Sequence, residues 1–185
     1  MNTGHKDILL HICCGPCSLH PIRELRREGL EPRGYFFNPN IQPFTEFKKR
    51  LAALRCIAVN EGLSLQTEES YPLEDWLKRT LQAENRCLEC YRWRLSAAAA
   101  RAAMEGYHFY STTLLVSPYQ QHDMIAQVAT EEGERYDIEF IYRDWRPGWP
   151  AAKQEIRERG IYLQAYCGCI LSERDRYYRR REAGR

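Results

Sequence analysis

Seven of the eight cysteines in this 185-residue chain fall into three tight clusters: Cys13-Cys14-Gly15-Pro16-Cys17, Cys87-Leu88-Glu89-Cys90 and Cys167-Gly168-Cys169. The long stretches between them carry only Cys56. Thiols gathered in this way hold a metal, cycle with a disulfide, or do both. A fold that uses them together must bring three distant segments to one edge. The apolar run from Ile8 to Cys14 is broken by His11 and follows Lys6 and Asp7, which is not the pattern of a targeting segment. No stretch approaches the ~20 apolar residues of a spanning helix. The expectation is a soluble cytoplasmic protein with no membrane partner, a setting that favours metal or redox chemistry over a structural disulfide framework.

Apolar spacing places the clusters on secondary structure. Residues 7–13 (DILLHIC) make a run of strand length, followed by Gly15-Pro16 and a helical pattern through Leu19, Ile22 and Leu25 that Gly29 stops. Further strands are expected around 34–37, 63–67, 107–113 and 137–142. Helices are expected near 44–60, 72–83, 87–105, 120–132 and 151–159, with a terminal helix after the third cluster. Alternating strands and helices predict an α/β fold with a mainly parallel sheet. No repeat or linker divides the chain, so 1–185 reads as a single domain.

All three cysteine clusters then fall at helix starts, where the backbone dipole stabilises thiolate. The first cluster also follows a strand, the edge at which open α/β sheets bind ligands. Cys87 and Cys90, three residues apart, share one helix face. Four thiolates suit structural zinc, but adjacent Cys13 and Cys14 fit a zinc knuckle poorly and suit a cluster whose neighbouring irons they could each reach. Spacing favours iron–sulfur without excluding zinc. Cys167 and Cys169 could close a small, easily reduced disulfide or chelate a second metal. Cys56 reads as a small buried hydrophobe on a helix with Leu51, Leu54 and Val59.

Three loops at strand ends are candidates for the rest of a site. They are Asn38-Pro39-Asn40-Ile41, Thr112-Thr113 with Ser117-Pro118-Tyr119-Gln120, and Asp144-Trp145-Arg146-Pro147-Gly148-Trp149. Turn chemistry alone could account for their Asn, Pro and Gly. Asp144, Arg146 and the tryptophans would also suit a polar aromatic ligand, because rings and guanidinium planes stack bases. His11, alone in an apolar strand, reads as a hydrogen-bonded core residue rather than a proton donor. The last sixteen residues hold Arg174, Arg176, Arg179, Arg180, Arg181 and Arg185 against three acids. This basic helix, 173–185, could meet phosphate or be a solvated face laced with pairs such as Asp175 and Arg179.

The joint pattern resembles the QueH-type, cobalamin-independent epoxyqueuosine reductases. The matching stretches are 11–18 (HICCGPCS), 35–41 (YFFNPNI), 86–91 (RCLECY) with Arg94-Leu95, 112–114 with 117–119, 144–148 (DWRPG) and 166–172 (YCGCILS). The likeness runs from about residue 7 to 172. It implies a Rossmann-like fold of the nucleotide α-hydrolase type with an iron–sulfur site at the carboxyl ends of the strands. It also implies an oxidoreductase that converts epoxyqueuosine to queuosine at the wobble position of tRNA, the last step of queuosine formation, with an electron donor still to be identified. Carried over, Cys13, Cys14, Cys87 and Cys90 look like ligands of a [4Fe–4S] cluster. Cys167 and Cys169 look like a redox-active pair or ligands of a second, mononuclear iron. Cys17 would join that iron, since family members can carry aspartate there. Asn38, Asn40, Tyr119, Asp144 and Arg146 are the expected substrate contacts. The chain departs from the pattern at Leu163, where many members have arginine. Rival readings from other classes are a zinc-stabilised nucleic-acid-binding module and a metal-free thiol–disulfide oxidoreductase.

Overall fold

In the computed structural model, which describes residues 6–178, β1 (Lys6–His11) leads into α1 (Gly15–Arg27) and β2 (Leu30–Phe36) into α2 (Phe44–Asn60). β3 (Ser64–Thr67) is followed by α3 (Leu73–Leu81) and α4 (Arg86–Met104). Then come β4 (Phe109–Thr112), a 3-10 turn at Thr113–Val116, α5 (His122–Tyr136) and β5 (Glu139–Phe140). α6 (Trp149–Glu158) and α7 (Ile170–Tyr177) complete the described order. The strands form one sheet in the order β3-β2-β1-β4-β5, and every neighbouring pair is parallel. β1 is central, and Ile8, Leu9 and Leu10 are buried together. Helices cover both faces of such a strand, so its sequence is a continuous apolar run rather than an alternation. Each of these side chains stabilises the fold by roughly 1.5–3 kcal/mol.

The winding reverses between β1 and β4, because the chain builds outward to β3 before returning to the other side of β1. A crevice opens at the carboxyl ends of strands where the order reverses. Cys13 and Cys14 follow β1 there, and Thr113 follows β4 beside them. Gly15 fixes how closely the thiol-bearing turn can approach α2. A Cβ at this position would lie 2.8 Å from the backbone of Ala53 and Leu54.

The expected elements are present, with corrections at their ends and on one helix face. Cys56 is exposed rather than buried. The buried stripe of α2 runs through Phe47, Leu51, Leu54, Ile57 and Ala58, and Cys56 lies about 200° around the helix from Leu54. Val59, 81 % exposed, is off the stripe for the same reason. The fourth strand stops at Thr112 rather than 113, because the Thr112 hydroxyl accepts from Leu114 N–H at 3.2 Å and starts the 3-10 turn. Residues 179–185 lie outside the described residues, and with them Arg179, Arg180, Arg181, Arg185 and the expected Asp175–Arg179 pair. Within the described part, Asp175 pairs with Arg86 and Arg174.

Candidate metal centre and adjoining cavity

Cys13 leaves β1, Cys14 takes the N-cap position of α1, and Cys17 sits in that helix's first turn. Their sulfurs lie within 4.8 Å of one another, and all three residues are buried. Cys13 and Cys14 Sγ are 3.8 Å apart. Thr113 fixes Cys13 twice: its Oγ1 accepts from Cys13 N–H at 3.0 Å, and its hydroxyl donates to Cys13 Sγ at 3.2 Å. Gln164 Nε2 donates to Cys14 Sγ at 2.9 Å. Hydrogen bonds from Cys14 and Cys17 hold the Cys13 thiol well below its usual range, while Cys14 and Cys17 are pushed well above it by the reciprocal interaction. A metal cation removes that difference, because coordinated thiols give up their protons. Three soft sulfurs at a helix N-terminus suit zinc or iron–sulfur chemistry and do not suit a hard cation.

The second and third clusters border a cavity of about 400 Å³ beside this trio. Asn85 caps α4 by accepting from the N–H groups of Cys87 and Leu88, both at 3.1 Å, and this presents Cys87 and Cys90 to the cavity. Cys169 caps α7 and borders the same space. A narrow gap lined by Cys13, Cys14, Arg50, Gln164 and Cys167 shares Asn40, Arg94, Gln120 and Gly168 with the large cavity. Cys17 borders a third recess of about 90 Å³, with Tyr119 and Leu163. Among the described cysteines, Cys167 alone borders all three spaces. The structure thus divides the third cluster. Burial pushes the Cys87 and Cys90 thiols up, with Cys169 adding to the effect and Arg86 and Arg94 offsetting it. Burial and Cys13 do the same to Cys167. All eight cysteines are free thiols.

Two buried guanidinium groups hold the segments together. Arg50 pairs with Glu46 at 2.6 Å and donates to the carbonyls of Tyr166 and Gly168 at 3.2 and 3.3 Å. Its guanidinium also lies over the Tyr166 ring, 4.8 Å from the centroid. Gly168 has φ of +103°, and a Cβ there would lie 2.7 Å from Ser172 Oγ, so a glycine is required between the two cysteines. Arg94 donates to Asn38 Oδ1 at 2.7 Å, and Asn38 Nδ2 donates to Ile12 C=O at 2.8 Å. Buried positive charge of this kind favours thiolate.

Among the described residues, five of the seven buried side-chain atoms without a hydrogen-bond partner lie around these spaces: Asn40 Oδ1, Trp76 Nε1, Arg86 Nε, Arg94 Nε and Gln164 Oε1. Leaving such atoms unpaired costs on the order of 1–3 kcal/mol each. Water, an ion or a ligand in these spaces would satisfy them.

The expected site residues divide accordingly. Asn40 borders the large cavity, and Tyr119 stands at its rim, 67 % exposed. Asn38 is a buried brace. Asp144 and Arg146 border none of the thiol spaces. Arg146 pairs with Asp144 at 2.6 Å on an exposed loop and holds that carboxyl down at about 2. The loop packs elsewhere: Arg143 pairs with Glu28 at the C-cap of α1, and Trp145 is buried. His11 is a core residue, as its strand setting implied. Nδ1 accepts from the Thr112 hydroxyl at 2.8 Å, and Nε2 donates to Phe37 C=O at 3.1 Å. Burial, with Arg94 nearby, lowers His11 to about 3 and keeps it neutral. Sequence reasoning missed Arg50, Trp76 and Gln164. Glu46 and Arg50, four apart on a helix, carry the signature of a surface pair, and nothing local marks the other two.

Residues 8–175 match the family model described as Epoxyqueuosine reductase QueH. The curated protein of that name from Dehalococcoides mccartyi is 33% identical over 171 residues, covering 92% of this chain and 94% of the relative. The one from Thermotoga maritima is 33% identical over 191 residues, covering 96% of each chain. The one from Haemophilus influenzae is 33% identical over 192 residues, covering 98% of this chain and 78% of the relative.

Proposed function

The chain belongs to the epoxyqueuosine reductase QueH family, and on that premise we propose that its thiol-lined cavity is where epoxyqueuosine in tRNA is reduced. It is an oxidoreductase of queuosine biosynthesis. Converting the epoxide to an alkene breaks two C–O bonds, forms the C=C π bond, consumes two electrons and two protons, and releases water. The observation that carries the reading is the span of the family match, which encloses all seven clustered cysteines.

The soft donor set fits a metal cofactor: the Cys13, Cys14 and Cys17 sulfurs lie within 4.8 Å of one another, and Cys87 and Cys90 line the adjoining cavity. In this reading Cys13, Cys14, Cys87 and Cys90 hold a [4Fe–4S] cluster, and Cys167 and Cys169, with Cys17, act as a redox pair or hold a second iron. Such a cluster supplies low-potential electrons one at a time. The protein's own contribution is positioning. Arg50 and Arg94 fix the segments that carry the thiols. Asn40 Oδ1, buried and without a hydrogen-bond partner, offers an acceptor to the nucleoside in the cavity, while the Trp76 indole N–H faces the Cys90 thiol. A tRNA substrate puts the reaction in the cytoplasm. Among the described residues no helix is long and apolar enough to cross a membrane.

The test combines iron and sulfide analysis of anaerobically purified protein with mass spectrometry of tRNA nucleosides after reaction with dithionite. The expected result is bound iron and sulfide, and a nucleoside that has lost one oxygen. Colourless protein with zinc and unchanged epoxyqueuosine would support a nucleic-acid-binding module instead. Turnover without any metal would support a simple thiol–disulfide oxidoreductase.

A further inference from the structure

The rim of the large cavity carries a stack that core packing does not explain. The Arg176 guanidinium lies over the Tyr119 ring, 5.0 Å from its centroid, and over the Tyr177 ring at 5.6 Å. Tyr119 is 67 % exposed and Tyr177 53 %. Tyr177 is anchored by its hydroxyl, which donates to Ala165 C=O at 2.7 Å and leaves the ring outside. α7, which supplies Arg176 and Tyr177, has no buried residue. Its place beside the cavity is therefore set by polar contacts: Arg86 with Asp175, the Tyr177 hydroxyl, and the cation–π pair itself. Asp175 is occupied by Arg86 and Arg174, so the adjacent carboxylate does not neutralise Arg176. Tyr119 and Arg176 border both the cavity and the recess next to it, which places them at its mouth.

This inference rests on the tRNA reading above. We propose that Tyr119, Arg176 and Tyr177 form a stacking and phosphate-binding platform for the anticodon-loop nucleotides that flank the one in the cavity. A nucleotide drawn into the cavity stays joined to neighbours on both sides and leaves their stacks open. Unpaired bases are held by aromatic faces and guanidinium planes, with little dependence on sequence because every base has a π face. The arginine between two exposed rings supplies both elements: it stiffens the rings, and its outward N–H groups meet phosphate, as guanidinium geometry favours. A base stacked on the open face of Tyr119 would lie at the entrance, with the backbone passing over Arg176 and α7.

The test measures binding of the iron-loaded protein to anticodon stem–loop RNA with epoxyqueuosine at the wobble position, by fluorescence anisotropy at several salt concentrations. Tyr119→Ala is expected to weaken binding about tenfold, within the range for loss of one stacked base, and Tyr119→Phe to restore it. Arg176→Gln is expected to weaken binding and to lower the slope of log affinity against log salt by about one, the loss of one phosphate contact. All three substitutions are at exposed positions, so circular dichroism should match the parent protein. If the parent binds the stem–loop and both Tyr119→Ala and Arg176→Gln bind equally well with the same salt slope, the platform is wrong while the tRNA reading stands. If the parent itself fails to bind, both fall.

Discussion

Gln120 Nε2 donates to Cys167 Sγ at 3.0 Å, and Gln120 Oε1 accepts from the Tyr91 hydroxyl at 2.7 Å. One amide thus ties the helix carrying Cys87 and Cys90 to the thiol that borders every space of the site. Hydrogen bonds to ligand sulfur stabilise the more reduced, more negative state. On the proposed ligation of iron by Cys167, Gln120→Leu should lower the midpoint potential of the iron-loaded protein by tens of millivolts (one net hydrogen bond, about 1 kcal/mol). Tyr91→Phe should give a smaller shift of the same sign. Spectroelectrochemical titration measures both, and an unchanged potential in Gln120→Leu would remove the amide from the redox machinery.

Arg50 holds the loop that carries Cys167 through two carbonyls, and its side chain is 3 % exposed. Removing one partner of a buried ion pair strands the other. Arg50→Ala should therefore cost about 3 kcal/mol in urea denaturation, and it should release the 166–168 segment to limited proteolysis. A loss below about 0.5 kcal/mol would mean that the pair is solvated in solution.

Burial keeps His11 neutral, at about 3 against an ordinary 6.5. The unfolded chain binds the extra proton below 6.5, so this contribution to stability is complete above that pH and is lost as pH falls from 6.5 toward 3. The slope is at most about 1.4 kcal/mol per pH unit. Metal-free protein unfolded at pH values between 5 and 6.5 should show this loss, and His11→Gln should flatten it. Equal slopes in the two proteins would argue that His11 is hydrated.

Cys56 supplies an internal control for the thiols. It is exposed and remote from the three spaces, so Cys56→Ser should keep full iron content and change stability by less than about 0.5 kcal/mol. Cys13→Ser and Cys14→Ser should each lose iron. Retention of iron in both serine variants would move the metal away from the first cluster.

The alternation that predicts a parallel sheet appears as five parallel strands, and the three cysteine clusters do open helices α1, α4 and α7. These features are local. Strand and helix periods, Gly29 and the Asn85 cap act within a few residues of themselves. Cys56 falls off the buried stripe because a helix face is defined by what packs against it: Leu51 and Leu54 do lie on the stripe, with Phe47 and Ile57, whereas Cys56 and Val59 do not. Asp144 and Arg146 share the strand-end edge in sequence, yet their loop packs elsewhere, with Arg143 paired to Glu28 and Trp145 buried.

By itself the sequence determined the thiol-bearing segments, their helix starts and the family. Only the tertiary structure decided how the clusters meet: Cys169 beside Cys87 and Cys90 on the large cavity, and Cys167 between that cavity and the Cys13–Cys14 gap. It also decided that Arg50 and Arg94 would be buried braces rather than surface charges. The physical reason is distance along the chain. The meeting of the clusters and the desolvation of a guanidinium depend on contacts between residues a hundred or more positions apart, such as Arg50 with Gly168 and Cys13 with Thr113, and no local spacing encodes those contacts.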